Sequence, residues 1–223
     1  MCGRLALFSD PADVARHVGL AGVPDLAPRW NVAPGTGLCI VRHDAATGER
    51  RAGEVAWGLL PAWADPARPG PRPINARAES AAHKPMFRDA WRRRRCLVPA
   101  DGWYEWTPGD GGRDPWYFAL PTGALLGLAG LWSTWHGADG TVRESAAILT
   151  REAHPELRPI HERMPAVVDP ADYAAWLDPD RPADPALLDA GTGRRVRPQR
   201  VSRRVNSPAH DGPGLLAPPA EAG

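Results

Sequence analysis

Apolar and polar positions alternate most plainly in VRESAAILT (142–150), where Val142, Glu144, Ala146 and Ile148 share one face. The glutamate predicts a strand whose face starts outside the core and enters it further along. More strands are predicted over RCLVPA (95–100), GWYEW (102–106), PWYFAL (115–120) and ALLGLAGLWSTW (124–135). GEVAWGLLPAW (53–63) predicts a strand running into a turn. Helical spacing is confined to short pieces. SDPADVARHVG (9–19) offers Ser9 or Asp10 as N-cap, Pro11 in the first turn and Gly19 as the stop. NARAESAAHKPMFRDAWRRR (75–94) predicts helical stretches interrupted at Pro85, and DPADYAAWLD (169–178) repeats the Asp-Pro opening.

Consecutive short strands with helices inserted, rather than strict alternation, predict an α+β fold. The expectation is a single domain with a curved, mainly antiparallel, barrel-like sheet and flanking helices. Twenty-six prolines suit a loop-rich sheet better than long helices, and 223 residues suit one core. The domain is expected over 1–216, with 217–223 as a disordered tail. No apolar run approaches the ~20 residues of a membrane-spanning helix. No basic-then-apolar leader stands at the start, so a cytoplasmic protein without a membrane partner is expected. Three cysteines, odd and sparse, argue against a disulfide framework. Without CxxC or HExxH, neither a metal site nor a cofactor is implied.

The formal net charge of +1 conceals segregation. WRRRRC (91–96) carries four consecutive arginines, and GRRVRPQRVSRRVN (193–206) carries six arginines and no acid. Two readings stay open: solvated arginines on strand edges, with 194–206 as a basic edge strand, or a basic face for phosphates. Ten tryptophans are many for this length. Trp132 and Trp176 are expected in the core, while others beside arginines could stack on bases at ~1–3 kcal/mol each.

The chain opens MCGRL, with a cysteine directly behind the initiator methionine. Removal of Met1 would leave an α-amine and a thiol on adjacent carbons. An α-amine has a pKa of ~7.7–8.0 against ~10.4 for lysine, so its free-base fraction at neutral pH is larger by a few hundred-fold. Such an amine forms a Schiff base with an aldehyde, and the thiol can close on the imine carbon to give a thiazolidine. Cys39 and Cys96 lack the amine and lie in apolar stretches, which predicts buried core residues.

The company Cys2 keeps sharpens this chemistry. The MCGR start, NVAPG (31–35), WGLLPAW (57–63), PINARAE (73–79), RRCLVPADGWYEW (94–106), IHERMP (160–165) and VSRRVN (201–206) stand in order along almost the whole chain. Together they resemble the SRAP family, the abasic-site processing proteins first labelled SOS-response-associated peptidases. The resemblance implies that Cys2 is the nucleophile that crosslinks to the C1′ aldehyde of an abasic site. Asn75 would hold the Cys2 backbone and the forming ring. Glu105 would move the proton that opens the sugar, and His161 would be a second acid/base for β-elimination or crosslink reversal. Arg4 and Arg77 would hold phosphates, and Trp63, Met86, Trp106, Thr150 and Arg163 would line the DNA channel. Glu105 lies between two tryptophans, a setting expected to raise its pKa toward neutrality, although a strand glutamate can equally face water or pair with arginine. Asn75 could also serve as an N-cap.

The expected partner is therefore single-stranded DNA containing abasic sites, met for instance at stalled forks beside replication-fork proteins. The expected protein is a nucleoid-associated monomer. Two other readings remain: a cysteine peptidase using Cys2 and His161, and a non-covalent single-strand-binding module.

Overall fold

The computed structural model describes residues 2–44, 47–65, 70–188 and 191–219. In chain order the elements are β1 (Leu5–Leu7), α1 (Pro11–Val18), β2 (Arg29–Val32), β3 (Gly37–His43), β4 (Arg50–Trp57), β5 (Asn75–Arg77), α2 (Ala78–Ala81), α3 (Arg88–Arg93) and β6 (Arg95–Ala100). There follow β7 (Gly102–Gly109), β8 (Gly112–Ala119), β9 (Leu126–His136), β10 (Val142–Glu152), β11 (Arg163–Pro165), β12 (Val167–Val168), α4 (Tyr173–Leu177), α5 (Gly191–Arg194) and β13 (Arg197–Arg200). The α1 boundaries follow their capping residues. Asp10 accepts the Ala12 N–H at 2.8 Å, and Gly19 closes the helix at φ 70°, a conformation that costs glycine little.

The strands β10, β4, β3, β6 and β9 pair in that order, and β9 returns to β10, so five strands close into a barrel. Pairing is antiparallel around the ring except between β10 and β4, and β5 adds a short parallel strand along β10. A second sheet, ordered β13-β8-β7-β1-β2, packs on the barrel. The α+β, barrel-like, mainly antiparallel expectation matches this architecture.

Alternation along each barrel strand sends one set of side chains inward and the next outward. Leu38, Ile40, Val55, Val98, Leu128, Ala146 and Ile148 fill the interior together with Leu5, Trp103 and Phe118 of the second sheet. Val41, Leu97, Ala129, Leu131, Ala147 and Leu149 point out and are covered by Phe87, Trp91, Trp176 and Leu177 from the helical segments. Both faces are buried, which is why β9 reads as a nearly continuous apolar run. Gly127 is required there, because a Cβ at that position would collide with the Tyr173 ring.

Several expectations are refined. Val142 and Glu144 do lie outside the buried part of β10, and Ala146 and Ile148 inside it. Residues 75–77, expected to begin a helix, are the strand β5, because Asn75, Ala76 and Arg77 pair with Ile148, Leu149 and Thr150. Asp169 does not cap the helical turn after it. Its carboxylate instead accepts the N–H groups of Gly191 and Thr192, tying the 191–194 turn to the barrel. Trp176 is fully buried, whereas Trp132 is only half-buried and stacks under Arg42 at 3.9 Å. Of the stretch 194–206 expected as a basic edge strand, only β13 is one; Arg194 ends α5, and Arg203–Asn206 form a short helical turn. Of the four arginines in 92–95, Arg95 is not a surface charge at all. It is 2% exposed and holds backbone carbonyls. In the C-terminal segment Leu215 is buried and Ala217 O accepts the Ser202 N–H at 2.9 Å, while 220–223 lie outside the described residues. Among the described residues no helix is long and apolar enough to cross a membrane.

Candidate active site

Cys2 lies just ahead of β1, the strand between β7 and β2 in the second sheet, and it is completely buried. Its carbonyl accepts a 2.7 Å hydrogen bond from Asn75 Nδ2. Asn75 is placed by β5, and β5 is held beside Trp57, whose indole N–H donates to Ile74 O at 2.9 Å. The amide is thus fixed from the barrel side. Its Oδ1 is buried and has no hydrogen-bond partner among the described residues, an open acceptor beside Cys2.

Glu105 arrives from the other sheet. On β7 it alternates with Tyr104, so it shares the inward face with Trp103, which packs in the same core cluster as Cys2. The carboxyl is 3% exposed, and burial pushes its pKa up from 4.5 to about 7. Burial also drives the Cys2 thiol well above its ordinary range, and the Glu105 carboxylate pushes it in the same direction.

His161 faces Glu105, with Nε2 at 4.0 Å from Oε2. Its Nδ1 accepts the Arg163 N–H at 2.9 Å, which leaves the neutral ring's proton on Nε2, toward the carboxyl. Burial lowers the His161 pKa, so the neutral ring is the prevailing form at neutral pH. Cys2, Asn75, Glu105 and His161 therefore converge from four separate stretches of chain.

The other expected site residues divide. Arg77 is exposed, Trp63 is 60% exposed, and Met86 is half-buried against the helical side of the core. Trp106 is half-buried and its Nε1–H donates to Asn206 Oδ1 at 2.7 Å. Arg4, expected on a phosphate, is engaged within the protein: Nη1 donates to Asn31 Oδ1 at 2.5 Å and to Val205 O at 2.8 Å, and the guanidinium lies 5.7 Å over Trp106. Thr150 has no exposed surface, so it cannot line a channel itself. It accepts from Arg163 Nη2 through its carbonyl at 2.7 Å. Arg163 in turn forks onto Glu79, with Nη1–Oε1 2.7 Å and Nη2–Oε2 2.9 Å. Glu79, Asn31 and Asn206 were not singled out from the sequence, yet each stands inside a quoted motif: PINARAE, NVAPG and VSRRVN. Among the described residues no group of three His, Cys, Asp or Glu is placed to hold a metal ion.

Residues 1–208 match the family described as SOS response associated peptidase (SRAP). This chain belongs to the SRAP family. Over 224 residues it is 33% identical to the Bacillus subtilis (strain 168) protein named abasic site processing protein YoqW, covering 97% of this chain and 99% of that one. It is 30% identical over 232 residues to abasic site processing protein YedK of Escherichia coli (strain K12), covering 98% and 100% of the two chains. The SRAP chain also superposes on a crystal structure from Bacteroides thetaiotaomicron with a TM-score of 0.81 at 21% identity, over 97% of this chain and 99% of that one. That last likeness establishes the fold alone. In this SRAP chain the stretches MCGR, PINARAE, WYEW and IHERMP supply Cys2, Asn75, Glu105 and His161.

Proposed function

We propose that this chain, once Met1 is removed, captures abasic sites in single-stranded DNA through Cys2 and holds them as a thiazolidine crosslink. The observation that carries the reading is the setting of Cys2: its carbonyl sits on Asn75, and its thiol feels a buried carboxyl with a pKa of about 7. The relatives' name, abasic site processing protein, supports a DNA lesion as the substrate.

An abasic sugar is mostly a cyclic hemiacetal. Glu105, which divides between its two protonation states near neutral pH, can take the hydroxyl proton and return one to the ring oxygen, opening the aldehyde. The Cys2 α-amine then adds to C1′, and loss of one water gives the imine. The sulfur adds to the imine carbon while its proton passes to the nitrogen. The five-membered ring closes without an oxidant or reductant. Asn75 Oδ1, buried and without a hydrogen-bond partner among the described residues, would accept the ring N–H. The Nε2–H of His161 supports proton transfer at Glu105, and in the same role would serve reversal or β-elimination at the 3′ phosphate.

A cysteine peptidase built on Cys2 and His161 would need a thiolate. Burial and the Glu105 carboxylate both disfavour one, which weighs toward amine-first chemistry. Autoproteolytic loss of Met1 is the peptidase activity compatible with this reading.

Denaturing electrophoresis with an abasic oligonucleotide tests the proposal. The wild-type chain should give a band that survives boiling, Cys2→Ala none, and Glu105→Gln one that forms slowly. Acetylation of the α-amine should abolish the band. An equal band from Cys2→Ala would overturn the assignment, and no band from any form would leave a non-covalent binding module.

A further inference from the structure

The barrel has a second mouth, and its lining is unlike the first. At the Cys2 end, Trp57 bonds Thr36 O through its backbone N–H at 3.0 Å and Ile74 O through its indole, beside Asn75. Arg42 stands at the opposite end of β3, about 20 Å away at ~3.3 Å per residue. Following Leu38 and Ile40 on the inward face, it closes the bore with two partners: its Nη2 donates to Glu144 at 2.7 Å, and its guanidinium stacks on Trp132 at 3.9 Å. Outside this plug lies an open cavity of about 940 Å³.

Arg42, Arg51, Arg92, Arg93 and Arg94 line that cavity, against Asp44, Asp89 and Asp180. Two of the acids are answered: Asp44 pairs with Arg51 at 3.0 Å, and Asp89 with Arg88 at 3.7 Å. Arg92, Arg93 and Arg94 form no ion pair with a described residue. Arg42 is 4% exposed, and its buried Nη1 has no hydrogen-bond partner among the described residues. A buried guanidinium nitrogen without an acceptor, under three unpaired arginines and an aromatic ring, is a lining that suits an anion carrying forked oxygens.

The chain between the two mouths identifies the anion. From β5 through α2 and α3 it presents Arg77, His83, Lys84, Arg88, Arg92 and Arg93, all exposed, with Glu79 and Asp89 as the acids among them. An exposed, mostly basic segment that runs in sequence from the Cys2 mouth to the Arg42 mouth fits a long polyanion, not an isolated small one. We propose that the Arg42–Trp132 cavity is a second docking site for nucleic-acid phosphates, which takes the strand beyond the segment held at Cys2. The proposal rests on DNA being the ligand, and its test needs no abasic chemistry.

The test uses intact single-stranded oligonucleotides of about 30 and about 8 nucleotides, the shorter matching one compact single-strand site. Affinity is measured by fluorescence anisotropy across a salt series. For the longer strand, Arg92→Ala/Arg93→Ala should weaken binding several-fold and reduce the slope of log K against log salt by about 1.4, at ~0.7 per phosphate contact. Arg92→Lys/Arg93→Lys should recover most of that slope, and the shorter strand should bind all forms alike. An unchanged slope with the longer strand overturns the proposal, and so does an equal loss with the shorter one. If a poly-glutamate peptide competes as well as the oligonucleotide, the cavity reads charge alone and the nucleic-acid assignment falls. Failure of the boiling-resistant band would sink the Cys2 chemistry and leave these measurements standing.

Discussion

His161 and Glu105 face one another at 4.0 Å, Nε2 to Oε2, although one lies on a loop after β10 and the other inside β7. The imidazole brings a proton on the near nitrogen, and the carboxyl is buried and raised to about 7. Each residue type is common on its own. In the proposed mechanism, their opposition beside Cys2 would serve as an acid/base pair matched to neutral pH.

A carboxyl moved from 4.5 to about 7 binds its proton more tightly in the folded chain than in the unfolded one. Its contribution to stability is therefore full below about 4.5, declines as pH rises through that window, and is lost above about 7. The difference is on the order of 3 kcal/mol. Glu105→Gln removes the ionisable proton while keeping the shape. The variant should melt roughly 5–10 °C above the wild type at pH 8, with the gap closing toward pH 4.5, as read by thermal unfolding. A wild type that stays as stable at pH 8 as at pH 4.5 would contradict the cost of this buried carboxyl.

Asn75 holds Cys2 by one bond to its carbonyl and offers a buried, open oxygen. Asn75→Ala should leave DNA affinity within about twofold while slowing single-turnover crosslinking about tenfold, equivalent to ~1.4 kcal/mol. Asn75→Asp keeps the acceptor and loses the donor, so it should fall between the two. Equal crosslinking rates in all three would remove Asn75 from the positioning of Cys2.

Arg163 is forked onto Glu79 in the protein without DNA, and a phosphate would have to compete for the same guanidinium. Glu79 is 53% exposed at its side chain, so the pair contributes no more than about 1 kcal/mol to folding. Hydrogen bonding from Arg163 lowers the Glu79 pKa, so that contribution is present above the ordinary carboxylate range and lost as pH falls through the lowered value. Glu79→Gln should tighten binding of intact single strands several-fold with little change in melting temperature. Weaker binding would mean that the glutamate orients Arg163 for DNA instead of competing with it.

Two local signals carried the reading: alternation gave the strands, and short motifs held the four residues that the fold brings together. What was not legible is which way a side chain turns once the sheet is built. Asn75 read as the start of a helix because its neighbours have good helix propensity, and pairing with Ile148 overrode them. Arg4, expected on a phosphate, and Arg163, expected in the DNA channel, bond instead to Val205 O and Glu79, contacts across 201 and 84 positions of sequence. Thr150, expected to line the channel, is buried beneath one of those arginines. Charge type is written locally, whereas its satisfaction depends on contacts that only the closed barrel creates.

Arg95 makes the same point inside a run of like residues. Arg92 and Arg93 end α3 on its solvent side, but β6 begins at Arg95, and the turn of the chain sends that side chain under α4. There Nε donates to Trp176 O at 2.7 Å, Nη1 to Arg92 O at 2.7 Å and Trp91 O at 3.0 Å, and Nη2 to Arg181 O at 2.9 Å and to Asp178 O. One planar cation thus satisfies carbonyls from the C-termini of two helices and the loop after α4, a geometry that an ammonium cannot reproduce. Arg95→Lys should lower stability by roughly 2–4 kcal/mol, since each buried carbonyl left without a donor costs ~1–3 kcal/mol. Arg92→Lys, a few residues away on the surface, should change it by less than about 0.5 kcal/mol. Urea unfolding of the two variants side by side reads the difference directly, and equal midpoints would place Arg95 among the solvated arginines after all.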